Sequence, residues 1–299
     1  MSKTKASRVV AIDRRLLRGW PLPELAANAD KQARGDVLVV GGSRELPGPV
    51  LLAAAAALRA GAGRIQLGVA RSIAVGVGTA FPEARVLWLP EKSNGELAHH
   101  AAASLRKELA GCRALLVGPG MRDEAAVLAL LRAALRSERD CSIVLDAAAL
   151  RVLRKRALTQ HAAGRVIATP HAGEMAELWG CTREWVEKDP LQLAREAART
   201  LGVTLVLKGV RTVVAMPDGD AFCNTNGNSG LATSGSGDTL SGLIAGLAAR
   251  GAEPAQAAVW GVHLHSAAGD ALKRKQGPLG YLARELAAEV PGLLARLAK

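Results

Sequence analysis

The residues most suited to chemistry lie together at Thr233-Ser234-Gly235-Ser236-Gly237-Asp238-Thr239-Leu240-Ser241-Gly242. A glycine- and serine-rich turn runs there straight into an apolar helical pattern. Unpaired backbone N–H groups and the positive helix end would converge at such a start, an arrangement suited to phosphate oxygens. Gly235 and Gly237 permit the torsions and close approach of a phosphate nest, with Ser236 between them. Asp238 stands out, because a carboxylate beside phosphate repels it unless it has a task. It is either a general base that takes a proton from a substrate hydroxyl, or a helix cap.

Other polar clusters are placed where ligands bind in α/β proteins. Asn224-Thr225-Asn226-Gly227-Asn228-Ser229-Gly230 is too polar for a core and reads as a surface loop, with Asn228 a possible contact. Lys208-Gly209-Val210-Arg211-Thr212 joins two apolar strands, and taken alone is an exposed hairpin turn. Thr169-Pro170-His171-Ala172-Gly173-Glu174 and Gly118-Pro119-Gly120 each follow a buried strand, where open sheets take their ligands. His171 is therefore a ligand-facing candidate, whereas His263 and His265 fall inside a helix and read as structural. There is no Gly-Lys pair for a Walker A loop, no GxSxG elbow and no HExxH helix.

The elements that must hold these clusters follow from periodicity. Short apolar strands at Asp36 to Val40, Arg64 to Val69, Arg85 to Leu89, Ala114 to Val117, Ser142 to Leu145 and Arg165 to Ala168 alternate with helical stretches. That alternation predicts a mostly parallel sheet covered on both faces. Thr204 to Leu207, Thr212 to Met216 and Asp220 to Cys223 follow one another with only glycine-bearing turns between, which predicts an antiparallel edge hairpin. From Ser236 the chain reads as helix: Asp238 to Arg250, Pro254 to Lys273 and Leu282 to Leu297. One domain over the whole chain fits better than two, with its core from about residue 31 to 298.

Composition narrows the classes. The chain has 299 residues, 49% of them hydrophobic, and its apolar runs are far shorter than a membrane span, so a globular protein is expected. Its four cysteines, Cys112, Cys141, Cys181 and Cys223, are widely spaced and suit packed thiols in a reducing cytoplasm. A formal charge of +12 favours anionic partners, but only 3% of residues are aromatic and these are scattered, which argues against nucleic acid. The basic stretch from Lys3 to Arg18 lacks the serine enrichment of a transit peptide and reads as the first turn of the domain.

The ordered set GGS at 41 to 43, VGPG at 117 to 120, TPHAGE at 169 to 174, LKGVRT at 207 to 212 and NGNSGLATSGSGDTLSG at 226 to 242 resembles the NAD(P)H-hydrate dehydratase family. The likeness runs from about Lys31 into GYLARELAAEVP, and no counterpart of the family's fused epimerase domain is expected. It implies a ribokinase-like three-layer α/β/α sandwich. It also implies repair of NADH or NADPH damaged by water addition, with ADP or ATP as co-substrate, Mg2+ and a homo-oligomer, often a tetramer. Asp238 matches the catalytic Asp; Lys208, Gly209, Val210, Arg211, Thr212 and Gly237 match nucleotide contacts; Gly120, His171 and Asp238 match substrate contacts. Pro49 stands at a substrate contact where relatives usually have Ala, and Glu174 is placed to act on the metal through water. After the fifth strand the family's LDADAL is LDAAAL here, so Ala148 replaces a carboxylate while Asp146 is kept. Two other functions compete: a small-molecule kinase of the same fold, and an inactive basic scaffold for nucleic acid.

Overall fold

The computed structural model describes residues 8–297 apart from 25, 27, 138–140, 156, 157, 159–161 and 163. Ten strands form one sheet: β1 (Val9–Ala11), β2 (Asp36–Val40), β3 (Arg64–Ala70), β4 (Ala84–Leu89), β5 (Ala114–Val117), β6 (Ser142–Leu145), β7 (Val166–Ala168), β8 (Thr204–Leu207), β9 (Thr212–Ala215) and β10 (Ala221–Asn224). Their spatial order is β1-β10-β9-β8-β7-β6-β5-β2-β3-β4. From β4 across to β8 all neighbours are parallel; β9 is antiparallel to both β8 and β10. The central strands β2, β5 and β6 are apolar and buried almost throughout, as strands covered on both faces must be.

Alternation along β2 divides the core. Leu38 and Val40 point into one apolar layer with Leu115, Ile143 and Leu205. Val37 and Val39 enter the other with Leu116, Val144 and Val206, beneath the helices of the C-terminal half. The expected three-layer sandwich is therefore present. One element differs from expectation: Val9–Ala11 is not a turn but a strand that pairs parallel with β10 and covers the antiparallel set. Three residues are too short for a periodicity signal, and the strand gains its partner only through tertiary pairing. The part of the predicted first turn before Arg8 lies outside the described residues.

Chain direction along the sheet reverses beside β2, since β3 and β4 lie on one side of it and β5 to β8 on the other. Such a switch point splays the loops at the carboxyl ends of its strands and opens a crevice. Gly41-Gly42-Ser43 after β2 and Gly118-Pro119-Gly120 after β5 meet there, with Gly42 N donating to Pro119 O at 2.7 Å. Gly118 has φ +125°, and a Cβ on it would lie 1.9 Å from the carbonyl oxygen of Asp146, so only glycine lets that turn close.

Helix Ser236–Ala249 is almost wholly buried and lies against helix Gly48–Arg59. The contact is unusually close because Gly242 and Gly246 face Ala53 and Ala57, four residues apart on each helix. A Cβ on Gly242 would stand 2.3 Å from Ala53 O, which is backbone and cannot swing aside. Gly242→Val is expected to destabilise by about 3 kcal/mol or to abolish soluble expression, at the upper end of overpacking costs. Gly76→Ala, in a helix with nothing within 4 Å of the new Cβ, should be neutral or stabilising in the same thermal melt. Equal melting of Gly242→Val and the parent would show that the helices can part.

Candidate active site

Gly235 is the N-cap of helix Ser236–Ala249 and has φ +86°, so the chain enters the helix through a left-handed residue with no side-chain cap. Asp238 is thus not the cap that the sequence alone allowed; it sits in the first turn. Ser236 N donates to Thr233 O at 3.2 Å and Thr239 N to Gly235 O at 3.1 Å. Gly237 N has no acceptor among the described residues, which makes it one uncommitted donor of the nest. Ser236, by contrast, contributes its amide to the turn itself.

Three carboxylates and one cation face this helix end. Asp146, at the end of β6, is buried; its Oδ1 accepts from Thr169 Oγ1 at 2.8 Å and from Lys208 Nζ at 3.1 Å. Glu174 Oε2 lies 3.7 Å from the same ammonium. A Cβ on Gly237 would be 3.2 Å from Lys208 Nζ, so the ammonium stands directly over the nest. Burial alone would push Lys208 down, but Asp146, Glu174 and Asp238 hold it above the ordinary lysine value. Burial, then the charge of Asp146, pushes Asp238 up to about 7, with Lys208 opposing and Glu174 adding to the rise. A carboxyl poised there exchanges its proton near neutral pH, as a general base should. The kcat/KM of the free enzyme is accordingly expected to rise with pH through about 7 as Asp238 ionises. A profile flat from about pH 5 to 9 would exclude an essential base at this position.

The strands bring the cluster together. β7 leads into Thr169-Pro170-His171, and Lys208 N donates to Pro170 O at 2.8 Å, tying the end of β8 to that turn. His171 caps helix Ala172–Trp179: its Nδ1 accepts from Gly173 N and Glu174 N, while Glu174 Oε2 accepts from His171 N at 2.8 Å. An accepting Nδ1 leaves the proton on Nε2, at the exposed edge of the ring. Gly209, Val210 and Arg211 form the exposed tip of the turn after Lys208, closed by Thr212 Oγ1 donating to Gly209 O.

Across the crevice, Gly120 has φ +69° and lies under Leu46 O, beside Gly42. Pro49 is in the first turn of helix Gly48–Arg59, three residues before Leu52, whose Cδ1 would be 2.4 Å from a Cβ on Gly235. Gly120 thus sits among the switch-point turns, and the helix that carries Pro49 packs on the nest through Leu52. Asn228 has a different place: its Oδ1 accepts from Gly230 N and Tyr281 Oη, and its Nδ2 donates to Asp270. Its amide fastens the loop, through partners far away in sequence.

Ala148 is the second residue of the short helix Ala147–Arg154, whose N-cap is Asp146, so its missing carboxylate is not a lost cap. It lines a cavity of about 190 Å3 with Met121, Arg122 and Glu174, at the flank of the site. Ala147 next to it has φ +50°, a left-handed conformation that costs a non-glycine residue about 1 kcal/mol. This strain turns the chain sharply after Asp146. Nothing in the identity of an alanine announces it. A cavity of about 530 Å3, lined by none of Asp146, Glu174 and Asp238, lies between helices Arg14–Gly19, Pro254–Gln276 and Ala283–Leu297.

No group of three or more His, Cys, Asp or Glu among the described residues forms a ready cage for a metal. Magnesium keeps several waters and needs only one or two carboxylates beside substrate phosphates, so Asp146 and Glu174 fit a metal that arrives with a nucleotide.

An uncapped, glycine-led helix end at the switch point of a mostly parallel sheet, faced by an acid and a lysine, defines a phosphoryl-handling protein of the ribokinase-like fold. A crystal structure of a ribokinase-like superfamily protein from Enterococcus faecalis matches with TM-score 0.82 and 25% identity over 97% of this chain and 96% of that one. The NAD(P)H-hydrate dehydratase family model matches residues 37–292, and the chain belongs to that family. The ADP-dependent (S)-NAD(P)H-hydrate dehydratase of Xanthomonas campestris pv. campestris is 45% identical over 97% of this chain and 98% of its own. The crystal structure of the Bacillus subtilis ADP/ATP-dependent NAD(P)H-hydrate dehydratase, co-crystallized with ATP/Mg2+, matches with TM-score 0.80 and 30% identity, covering 98% of this chain and 100% of that one.

Proposed function

We propose that this chain dehydrates the S form of hydrated NADH and NADPH, restoring NADH and NADPH while ADP is cleaved to AMP and phosphate. The observation that carries this reading is the convergence of an uncommitted Gly237 N–H, the Lys208 ammonium and the Asp238 carboxyl at one helix start. Hydroxide is a poor leaving group, so the substrate hydroxyl is first made a phosphate ester. Asp238 takes the hydroxyl proton as its oxygen attacks the terminal phosphorus of ADP, and AMP departs. Gly237 N–H and Lys208 stabilise the charge on the phosphoryl oxygens in flight. The ring nitrogen then expels phosphate, and loss of a ring proton restores the double bond.

The turn from Lys208 to Thr212, with its exposed tip at Gly209 to Arg211, holds the nucleotide, and Gly120, His171 and Pro49 border the dinucleotide. Mg2+ held through water by Glu174 and Asp146 would neutralise phosphate charge. Location in the cytoplasm and assembly as a homo-oligomer, a tetramer by family likeness, complete the proposal. No helix among the described residues is long and apolar enough to cross a membrane.

The decisive measurement is recovery of absorbance in the reduced-nicotinamide band when ADP is added to hydrated NADH and the protein. Recovery with ADP or ATP supports the proposal. No recovery, together with phosphorylation of a small alcohol such as hydroxyethylthiazole, would assign a kinase. Binding of nucleic acid that falls steeply with salt, without either activity, would assign a basic scaffold.

A further inference from the structure

We propose that His265 is a positioning residue for phosphoryl transfer: it donates through Nε2–H to Ser236 and thereby fixes the Ser236–Gly237 peptide whose N–H faces the transferred phosphate. The inference rests on the function proposed above and adds a residue to its machinery.

His265 lies on helix Pro254–Gln276, which packs on the back of the nest helix. Its Nε2 is 3.1 Å from Ser236 O and 2.9 Å from Ser236 Oγ. A carbonyl oxygen can only accept, so a bond to it requires the hydrogen on Nε2, whereas an Nδ1–H ring would instead accept from Ser236 Oγ. The Nε2–H form is the one that engages the peptide. Burial pushes the imidazole down to about 4 despite that hydrogen bond, and the Lys208 charge acts in the same direction. The ring is therefore neutral at physiological pH, with Nε2–H as its donor.

Ser236 C=O and Gly237 N–H belong to one planar, trans peptide unit, in which the two groups point in opposite directions. A donor held on the carbonyl consequently sets the plane in which the N–H points away, toward the open side of the nest. The same bond polarises the amide, since hydrogen bonds in a chain strengthen one another. Gly237 N–H is one of the nest donors with no acceptor in another described residue, and Gly237 has no side chain of its own. Ser236 and Gly237 are the first two residues of the helix, which orients their peptide, but Gly235 leaves that end without a side-chain cap, and helix ends fray. His265 braces this first turn from behind without placing a second cation beside Lys208.

The test compares His265→Leu with His265→Gln and Ser236→Ala. Glutamine Nε2 can reproduce the donor that leucine lacks. The expected result is a fall in kcat of roughly tenfold to a hundredfold for His265→Leu, the scale of a misplaced catalytic group, with the KM for ADP changed far less. His265→Gln should recover most of the loss, and Ser236→Ala, which keeps the carbonyl, should lose less than His265→Leu. Equal losses in the Leu and Gln variants would overturn the proposal in favour of packing, and full kcat in His265→Leu would overturn it outright. A loss in Ser236→Ala at least as large as in His265→Leu would assign the effect to the hydroxyl and also overturn it.

Nitrogen-15 spectra of the wild-type protein, labelled at histidine, provide a readout independent of activity and of variant folding. A neutral Nε2–H form for His265 at about pH 7 is expected; an Nδ1–H form would overturn the assignment. Failure of the wild type to act on hydrated NADH would instead sink the functional proposal, with the tautomer still measurable.

Discussion

Asp238→Asn is expected to lower kcat for dehydration by about 10²–10⁴-fold, the contribution of a positioned general base, while leaving ADP affinity within a few-fold. The same substitution should raise thermal stability at about pH 8. The sign follows from the proton count. In the folded protein Asp238 is pushed from its ordinary 3.8 up to about 7 by burial and by Asp146, with Glu174 adding to the rise and Lys208 opposing it. Between those two values the folded state binds the proton and the unfolded state does not, so stability falls as pH rises through that window. Above it the wild type carries an ionised, partly desolvated carboxylate beside two others. Asparagine keeps the shape and removes that charge, so its melting temperature should exceed the parent's at about pH 8 and converge with it toward pH 4.

The paired readout separates a base from a structural acid. A cap or a structural ion-pair partner would lose stability on amidation, whereas a catalytic base kept against electrostatic resistance gains it. Retention of full activity in a correctly folded Asp238→Asn would remove the assigned base. A melting temperature that drops at about pH 8 would show that the carboxylate is stabilised in place, contrary to the electrostatics described for it.

Much of this architecture was legible because the residues that build it also carry the signal. Val37 to Val40 and Leu115 to Val117 are buried on both faces and read as short continuous apolar runs. The glycine-rich turn into Ser236 is legible for a similar reason: few residues other than glycine tolerate the φ of +86° at Gly235. Gly242 was visible too, as the last residue of the same motif, but its work is different. It brings two helices into backbone contact, which no local pattern states.

The pairings across the site were not legible, because they join residues 62 apart, as Lys208 and Asp146 are, or 29 apart, as Ser236 and His265 are. His265 looked like any histidine on an apolar helix. Asn228 reads as a possible ligand contact because it sits in a polar loop, and the bonds to Tyr281 and Asp270 that fasten that loop leave no local mark in the sequence. β1 carries no local signal because its strand neighbour among the described residues, β10, lies more than 200 residues away in sequence.

Lys208→Met should reveal how far this balance depends on one cation. Lys208 holds the buried Asp146 at 3.1 Å and Glu174 at 3.7 Å, and its charge is the one that opposes the rise at Asp238. Removing one partner of a buried ion pair costs about 3–5 kcal/mol, because the remaining charge stays desolvated. Thr169 Oγ1 still donates to Asp146, which offsets part of that cost. With three carboxylates left together, protonating one of them relieves the repulsion. The stability gap to the parent should therefore be wide at about pH 8 and narrow at about pH 6. Asp238 loses its opposing charge as well, so the rising limb of kcat/KM should move to higher pH. ADP loses a phosphate partner, so its KM should also rise. Lys208→Arg would restore charge but not the compact ammonium that fits over Gly237, and should recover stability better than turnover. An unchanged melting temperature at about pH 8, or an unmoved pH limb, would mean that Lys208 does not govern the carboxylates, and the nest would have to work by its amides alone.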